Sequence, residues 1–148
     1  MIDITYDRSQ KIYTWTDPSS GEVFTAPPGA ANKASLFQAA VGMLEPELYA
    51  AAIALIDDHP QLERVTWKGV EIVCTGGVDA FAVPENGVVA MVASSDGSGR
   101  YAISQTERDY ECQCAHFQDL AAPVTMNGRW CKHVTAYRLY LRVREDRF

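Results

Sequence analysis

No stretch of this chain approaches the ~18 uninterrupted apolar residues of a membrane-spanning helix, so no membrane association is expected. Met1-Ile2-Asp3-Ile4-Thr5 shows neither the basic start nor the apolar run of a secretory signal, and a cytoplasmic location is expected. Histidine is scarce, at three residues in 148. There is no Gly-Lys-Thr or Gly-Lys-Ser phosphate loop and no Ser or Cys nucleophile motif. The expectation is therefore a protein that is not an enzyme and has no small-molecule substrate. An excess of positive charge is also lacking: 13 Lys and Arg stand against 19 Asp and Glu, a net charge of −6 at pH 7. That argues against coating nucleic acid through bulk charge.

What is present is the balance of a soluble globular chain, 47% hydrophobic and 22% charged. A length of 148 residues fits one domain or two small lobes. The charge is unevenly spread. Residues 1–99 hold thirteen acidic side chains and only five basic ones (Arg8, Lys11, Lys33, Arg64 and Lys68), a net −8. Residues 100–148 hold six acidic and eight basic side chains, a net +2, and all eight are Arg except Lys132. Arginine is the better fork for phosphate and carboxylate, although a solvated helix face would look the same.

The hydrophobic pattern predicts an α+β fold with a lobe over 1–60 and a second domain over 61–148. Ile2, Ile4 and Tyr6 alternate with polar residues, and Ile12-Tyr13-Thr14-Trp15-Thr16 is β-branched and aromatic. Asp17-Pro18-Ser19-Ser20-Gly21 is a turn into Glu22-Val23-Phe24-Thr25, which completes a three-stranded β-meander. A helix pair follows, the first capped by Asn32 and the second opened by Pro46. The segment from Leu62 to Val73 suits a helix better than a strand, with Gly76-Gly77 as its stop. Val88–Ala93 and Tyr101–Ser104 read as paired strands around a turn at Ser94–Gly99. Thr106–Asp109 turns again into Tyr110–Cys114, and the last element, from Cys131 to about Arg144, reads as a helix.

The cysteines carry the chemistry. In the cytosol, clustered cysteines are more often metal ligands than disulfides. Cys112-x-Cys114 and Cys131-x-His133 are separated by sixteen residues. Zn²⁺ takes four ligands tetrahedrally, and two pairs on separate elements can close that shell. On an extended segment, Cys112 and Cys114 would share a strand face. Cys131 and His133 cannot share a face of a regular helix, but they fit a helix entrance. Three cysteines and one histidine leave no open position, which favours a structural Zn²⁺ over a catalytic one. Cys74 stands apart and reads as a small buried hydrophobe.

Cys112-Gln113-Cys114-Ala115-His116-Phe117 followed by Trp130-Cys131-Lys132-His133-Val134 resembles the SWIM zinc finger, a CxC pair, a variable gap and a CxH pair. A strand pair before CxC, an aromatic three residues after its second Cys and Lys between the last two ligands are typical of that family. The resemblance spans about 88–143. It implies a β-hairpin–helix zinc finger, with the first two ligands on a short β-hairpin and the last two at the N-terminal end of a helix. Leu62–Gly77 resembles the helix that often precedes this finger in small bacterial members. Ala115-His116 departs from the Pro-Asp or similar pair common in the family. His116 is thus a spare imidazole: a group beside the ligands, a substitute ligand, a surface contact, or simply an exposed loop residue.

SWIM fingers occur in DNA-handling proteins and in protein–protein adaptors, so the resemblance implies binding rather than chemistry. Arg129 and Lys132 flank Cys131 where a helix entrance offers free N–H groups to phosphate. Arg138 and Arg142 are four residues apart and share a helix face, and Arg144 and Arg147 extend the charge. Trp130 and Tyr137 or Tyr140 are candidates to stack on a base, although aromatics at helical spacing are more often core. The acidic front would repel a duplex elsewhere. The expectation is nucleic acid, DNA first, bound as an accessory subunit of a larger protein complex. The alternative is a protein–protein adaptor, its acidic lobe docked on a basic partner and its zinc purely structural.

Overall fold

The computed structural model describes residues 2–94, 99–107, 109–118, 121–126 and 128–146. The turn expected at Ser94–Gly99 falls largely on 95–98, and Arg147 also lies outside the described residues. The fold is α+β, with N-terminal strands and helices followed by a second set of strands and a helix. The chain divides into two compact units, Met1–Ala50 and Ala51–Phe148.

In the first unit, β1 (Thr5–Asp7), β2 (Ile12–Thr16) and β3 (Val23–Ala26) form an antiparallel meander in that order. Trp15 stands opposite Phe24 and stacks on it at 5.5 Å between ring centroids. With Leu36 and Ala40 of α1 (Ala30–Leu44), Trp15 makes a small core of its own. The turn after β2 closes because the Asp17 carboxylate accepts from the Ser19 N–H and hydroxyl, at 2.9 and 2.8 Å. Helix α1 starts before the expected Asn32 cap. Gly29, at φ +124°, is the capping residue, and the Asn32 amide turns back to donate to the Pro28 carbonyl at 3.0 Å. Proline at 27 and 28 ends the meander, and the glycine after them lets the chain enter the helix earlier than the Asn signal suggested. Glu45 alone separates α1 from α2 (Pro46–Asp58), whose first residue is the expected proline.

The second unit holds the cysteines. A single 3₁₀ turn (Pro60–Leu62) leads into α3 (Glu63–Cys74), so the ambiguous segment is helical. Four strands follow in antiparallel order: β4 (Val78–Glu85), β5 (Val88–Ala93), β6 (Arg100–Gln105) and β7 (Tyr110–Cys112). The β4–β5 loop is the dipeptide Asn86-Gly87, with φ of +51° and +82°. Positive φ at both central residues is the turn whose twist matches a hairpin, and Asn-Gly is its strongest sequence signal. That signal adds a full strand before the hairpin expected at 88–104. A short α4 (Ala115–Gln118) and a two-stranded ribbon, β8 (Val124–Thr125) and β9 (Gly128–Arg129), fill the gap before α5 (Lys132–Asp146).

Helix α5 packs on both the sheet and α3. Val134, Ala136 and Tyr137 share one core with Val92, Ile103 and Ile72. The two helices approach each other closely at Gly69. A Cβ there would lie 3.0 Å from the Ala136 backbone nitrogen and 3.3 Å from its Cα. Those atoms belong to the backbone and cannot rotate aside. Gly69→Val is therefore expected to cost about 2–3 kcal/mol through overpacking, against a helix-propensity gain of only a few tenths. A urea titration reads this as a lower midpoint, and an unchanged midpoint would contradict the close approach. Among the described residues, no helix is long and apolar enough to cross a membrane.

Candidate metal centre

The four expected ligands come together. Cys112, Cys114, Cys131 and His133 each present one ligand atom, all within 4.8 Å of one another, and all four residues are buried. A tetrahedral shell with a metal–sulfur distance of ~2.3 Å and a metal–nitrogen distance of ~2.0–2.1 Å places a sulfur and a nitrogen roughly 3.6 Å apart. Cys131 Sγ and His133 Nδ1 stand at 3.9 Å, close to that value. The donor set therefore fits a thiophilic ion.

The elements explain the placement. Cys112 is the last residue of β7, where Ile103 faces it across the β6–β7 ladder. Cys114 does not continue that strand. The chain bends after Cys112, the Cys114 N–H reaches back to Cys112 Sγ at 3.4 Å, and the Cys114 carbonyl accepts from Gln118 as α4 begins. A shared strand face is thus replaced by a sulfur-centred turn, which lets two residues so near in sequence aim at one point. Gln118 Nε2 fixes the bend by donating to the Cys112 carbonyl at 2.7 Å.

Cys131 sits just before α5, as the helix-entrance argument requires, and His133 lies in its first turn. Cys131 Sγ accepts from the Val134 N–H at 3.4 Å, and its carbonyl accepts from the Thr135 N–H and hydroxyl at 2.9 and 2.8 Å. One residue therefore satisfies helix-entrance donors and aims its sulfur at the cluster. The His133 ring packs on Tyr101 at 4.7 Å between centroids. Its Nε2 is buried, with no hydrogen-bond partner among the described residues.

The electrostatics follow from three thiols sharing one buried space. Hydrogen bonds with Cys112 and then Cys131 hold the Cys114 thiol far below its ordinary pKa. Hydrogen bonds with Cys114 and Cys131, then burial, push Cys112 far above its own. Cys131 is pushed up to about 11: its bond with Cys112 lowers it, and its bond with Cys114 together with burial outweighs that. Three such thiols cannot all ionise on their own, because each thiolate raises the cost of the next. A divalent cation removes that conflict.

The four basic residues expected at a nucleic-acid surface are placed very differently. Arg129 donates to the Ala122 carbonyl at 2.7 Å. Arg138 lies between two rings, 4.3 Å from the Trp130 centroid and 4.8 Å from that of Tyr110, with Asp109 at 4.0 Å. Lys132 is half-buried, and Arg142 is exposed, as is Arg144. Trp130 and Tyr137 are buried in the core, which leaves Tyr140 as the half-buried one of the three expected stacking candidates. His116 is exposed on α4 and is not in the ligand cluster. Cys74 is half-buried and also outside it.

A further group was not legible in the sequence. Arg64 and Lys68 of α3 share a groove of about 460 Å³ with Lys132 and His116. The available signal was their four-residue spacing within an otherwise acidic segment.

Fold and site together define an α+β chain with a buried Cys₃His group that can hold a metal ion. Compared with family models, curated proteins and solved structures, the chain matches none.

Proposed function

We propose that this chain is a zinc-binding, non-enzymatic module of the SWIM type that binds nucleic acid, DNA first, as an accessory subunit of a larger complex. The observation that carries the reading is the buried Cys112, Cys114, Cys131 and His133 group, set at a strand end and a helix entrance. Those four residues would hold Zn²⁺ and fill its shell, so the ion joins β7 to α5 and leaves no position for a reacting water. Lys132 and Arg142 then stand on the helix that the ion anchors, while Arg129 and Arg138 serve the protein's own packing.

A second reading, a protein–protein adaptor, is favoured by two observations. The guanidinium groups of Arg129 and Arg138 are engaged internally, and residues 1–50 hold six acidic side chains against three basic ones. Fluorescence anisotropy with a labelled 20-mer, single-stranded and duplex, separates the two. The nucleic-acid reading expects weak binding, with Kd of ~1–100 μM that rises steeply with salt. Arg142→Glu should weaken it about threefold to tenfold. No binding of either probe at low salt by the zinc-loaded protein would favour the adaptor.

A further inference from the structure

Two of the five basic side chains in the acidic front meet at one place. Arg64 and Lys68 are one turn apart on the same face of α3. Like charges at that spacing repel, and among the described residues no carboxylate forms an ion pair with either. Both line the groove of about 460 Å³, where Lys132 joins them from the entrance of α5 and His116 from α4. No acidic residue lines it among the described residues, although the chain as a whole carries −6. Its remaining walls include the apolar side chains of Val65 and Pro123. Low-dielectric walls strengthen the field of cations aimed into such a concavity. Three cations drawn from two separate helices thus line one groove in an acidic protein.

We infer that this groove holds the phosphates of the nucleic-acid backbone, with Arg64, Lys68 and Lys132 as the cations and His116 as a hydrogen-bonding side chain. The inference rests on the nucleic-acid reading above. It moves the main contact from the exposed side of α5 to the face shared by α3 and α5. Phosphate contacts fix position without reading bases, so the groove gives affinity with little sequence preference.

The test uses the whole zinc-loaded protein, the same single-stranded and duplex 20-mers, and anisotropy from low to moderate salt. Arg64→Gln/Lys68→Gln removes two cations outside the ligand shell, and Arg64→Lys keeps the charge. Metal content and circular dichroism of each variant confirm that it is folded. Each lost phosphate contact lowers the slope of log K against log salt by about 0.9 for duplex or about 0.7 for a single strand. The double variant should therefore bind at least tenfold more weakly and lose about 1.4–1.8 of the slope, whereas Arg64→Lys should bind like the parent and Arg142→Glu should lose less than the double variant. If the parent binds and the folded double variant keeps both affinity and slope, the groove inference fails and the nucleic-acid reading stands. If the folded parent binds neither probe, the reading fails and takes the groove with it.

Discussion

Cys131→Ser is expected to cost this protein its metal and the folded state of residues 51–148 together. Cys131 is fully buried, and its sulfur faces both the ligand group and the Val134 N–H. A serine hydroxyl neither ionises near neutral pH nor reaches as far as a thiolate. Structural zinc in finger peptides contributes about 10–16 kcal/mol, whereas a domain's whole stability is about 5–15 kcal/mol. Losing even part of the former removes most of the latter. The effect should be confined. Residues 1–50 keep their own core of Trp15, Leu36 and Ala40, so amide resonances from that unit should stay dispersed while those of residues 51–148 collapse. Cys74→Ser, outside the cluster, should retain metal and a full transition. Full metal content in Cys131→Ser would contradict the ligand assignment.

The second large effect concerns Trp130. Its ring is buried with Leu62 and Val65, its Nε1–H donates to Thr125 Oγ1 at 2.9 Å, and its face carries Arg138 at 4.3 Å. Trp130→Ala removes one of the largest side chains in this unit and leaves a cavity, a change that costs about 3–5 kcal/mol. The lost cation–π contact with Arg138 adds about 0.5–2 kcal/mol. Because Trp130 precedes Cys131, the variant should also hold zinc less tightly, although it should still load one ion when zinc is in excess. Trp130→Phe keeps most of the packing and should lose less than half as much. Chemical denaturation measures all three proteins, and a Trp130→Ala loss below about 1 kcal/mol would contradict the buried role.

Much of this was legible from the residues. The ligand group could be read because thiolate and imidazole chemistry at x-spacing has few other uses, and the spacing also dictates where strand and helix must meet. The helical choice for the segment from Leu62 to Val73, observed as Glu63–Cys74, followed from length and the Gly76-Gly77 stop. What could not be read depends on long-range contacts. Nothing local distinguishes Arg138, held between Trp130 and Tyr110, from Arg142, which faces solvent one turn later. The groove is hidden for the same reason, because Lys132 lies sixty-four positions from Lys68 and only packing of α5 on α3 at Gly69 brings them near. Cys114 left its strand because the Cys112 sulfur competes for its N–H, a hydrogen bond that strand periodicity does not anticipate.

The central claim is that Cys112, Cys114, Cys131 and His133 close a shell around one zinc ion. Metal analysis combined with zinc X-ray absorption on the purified protein tests it most directly. The account predicts one zinc per chain, coordinated by three sulfurs and one nitrogen with no water oxygen. A protein that is free of metal yet unfolds in a full cooperative transition, or a shell with fewer than three sulfurs, would contradict it.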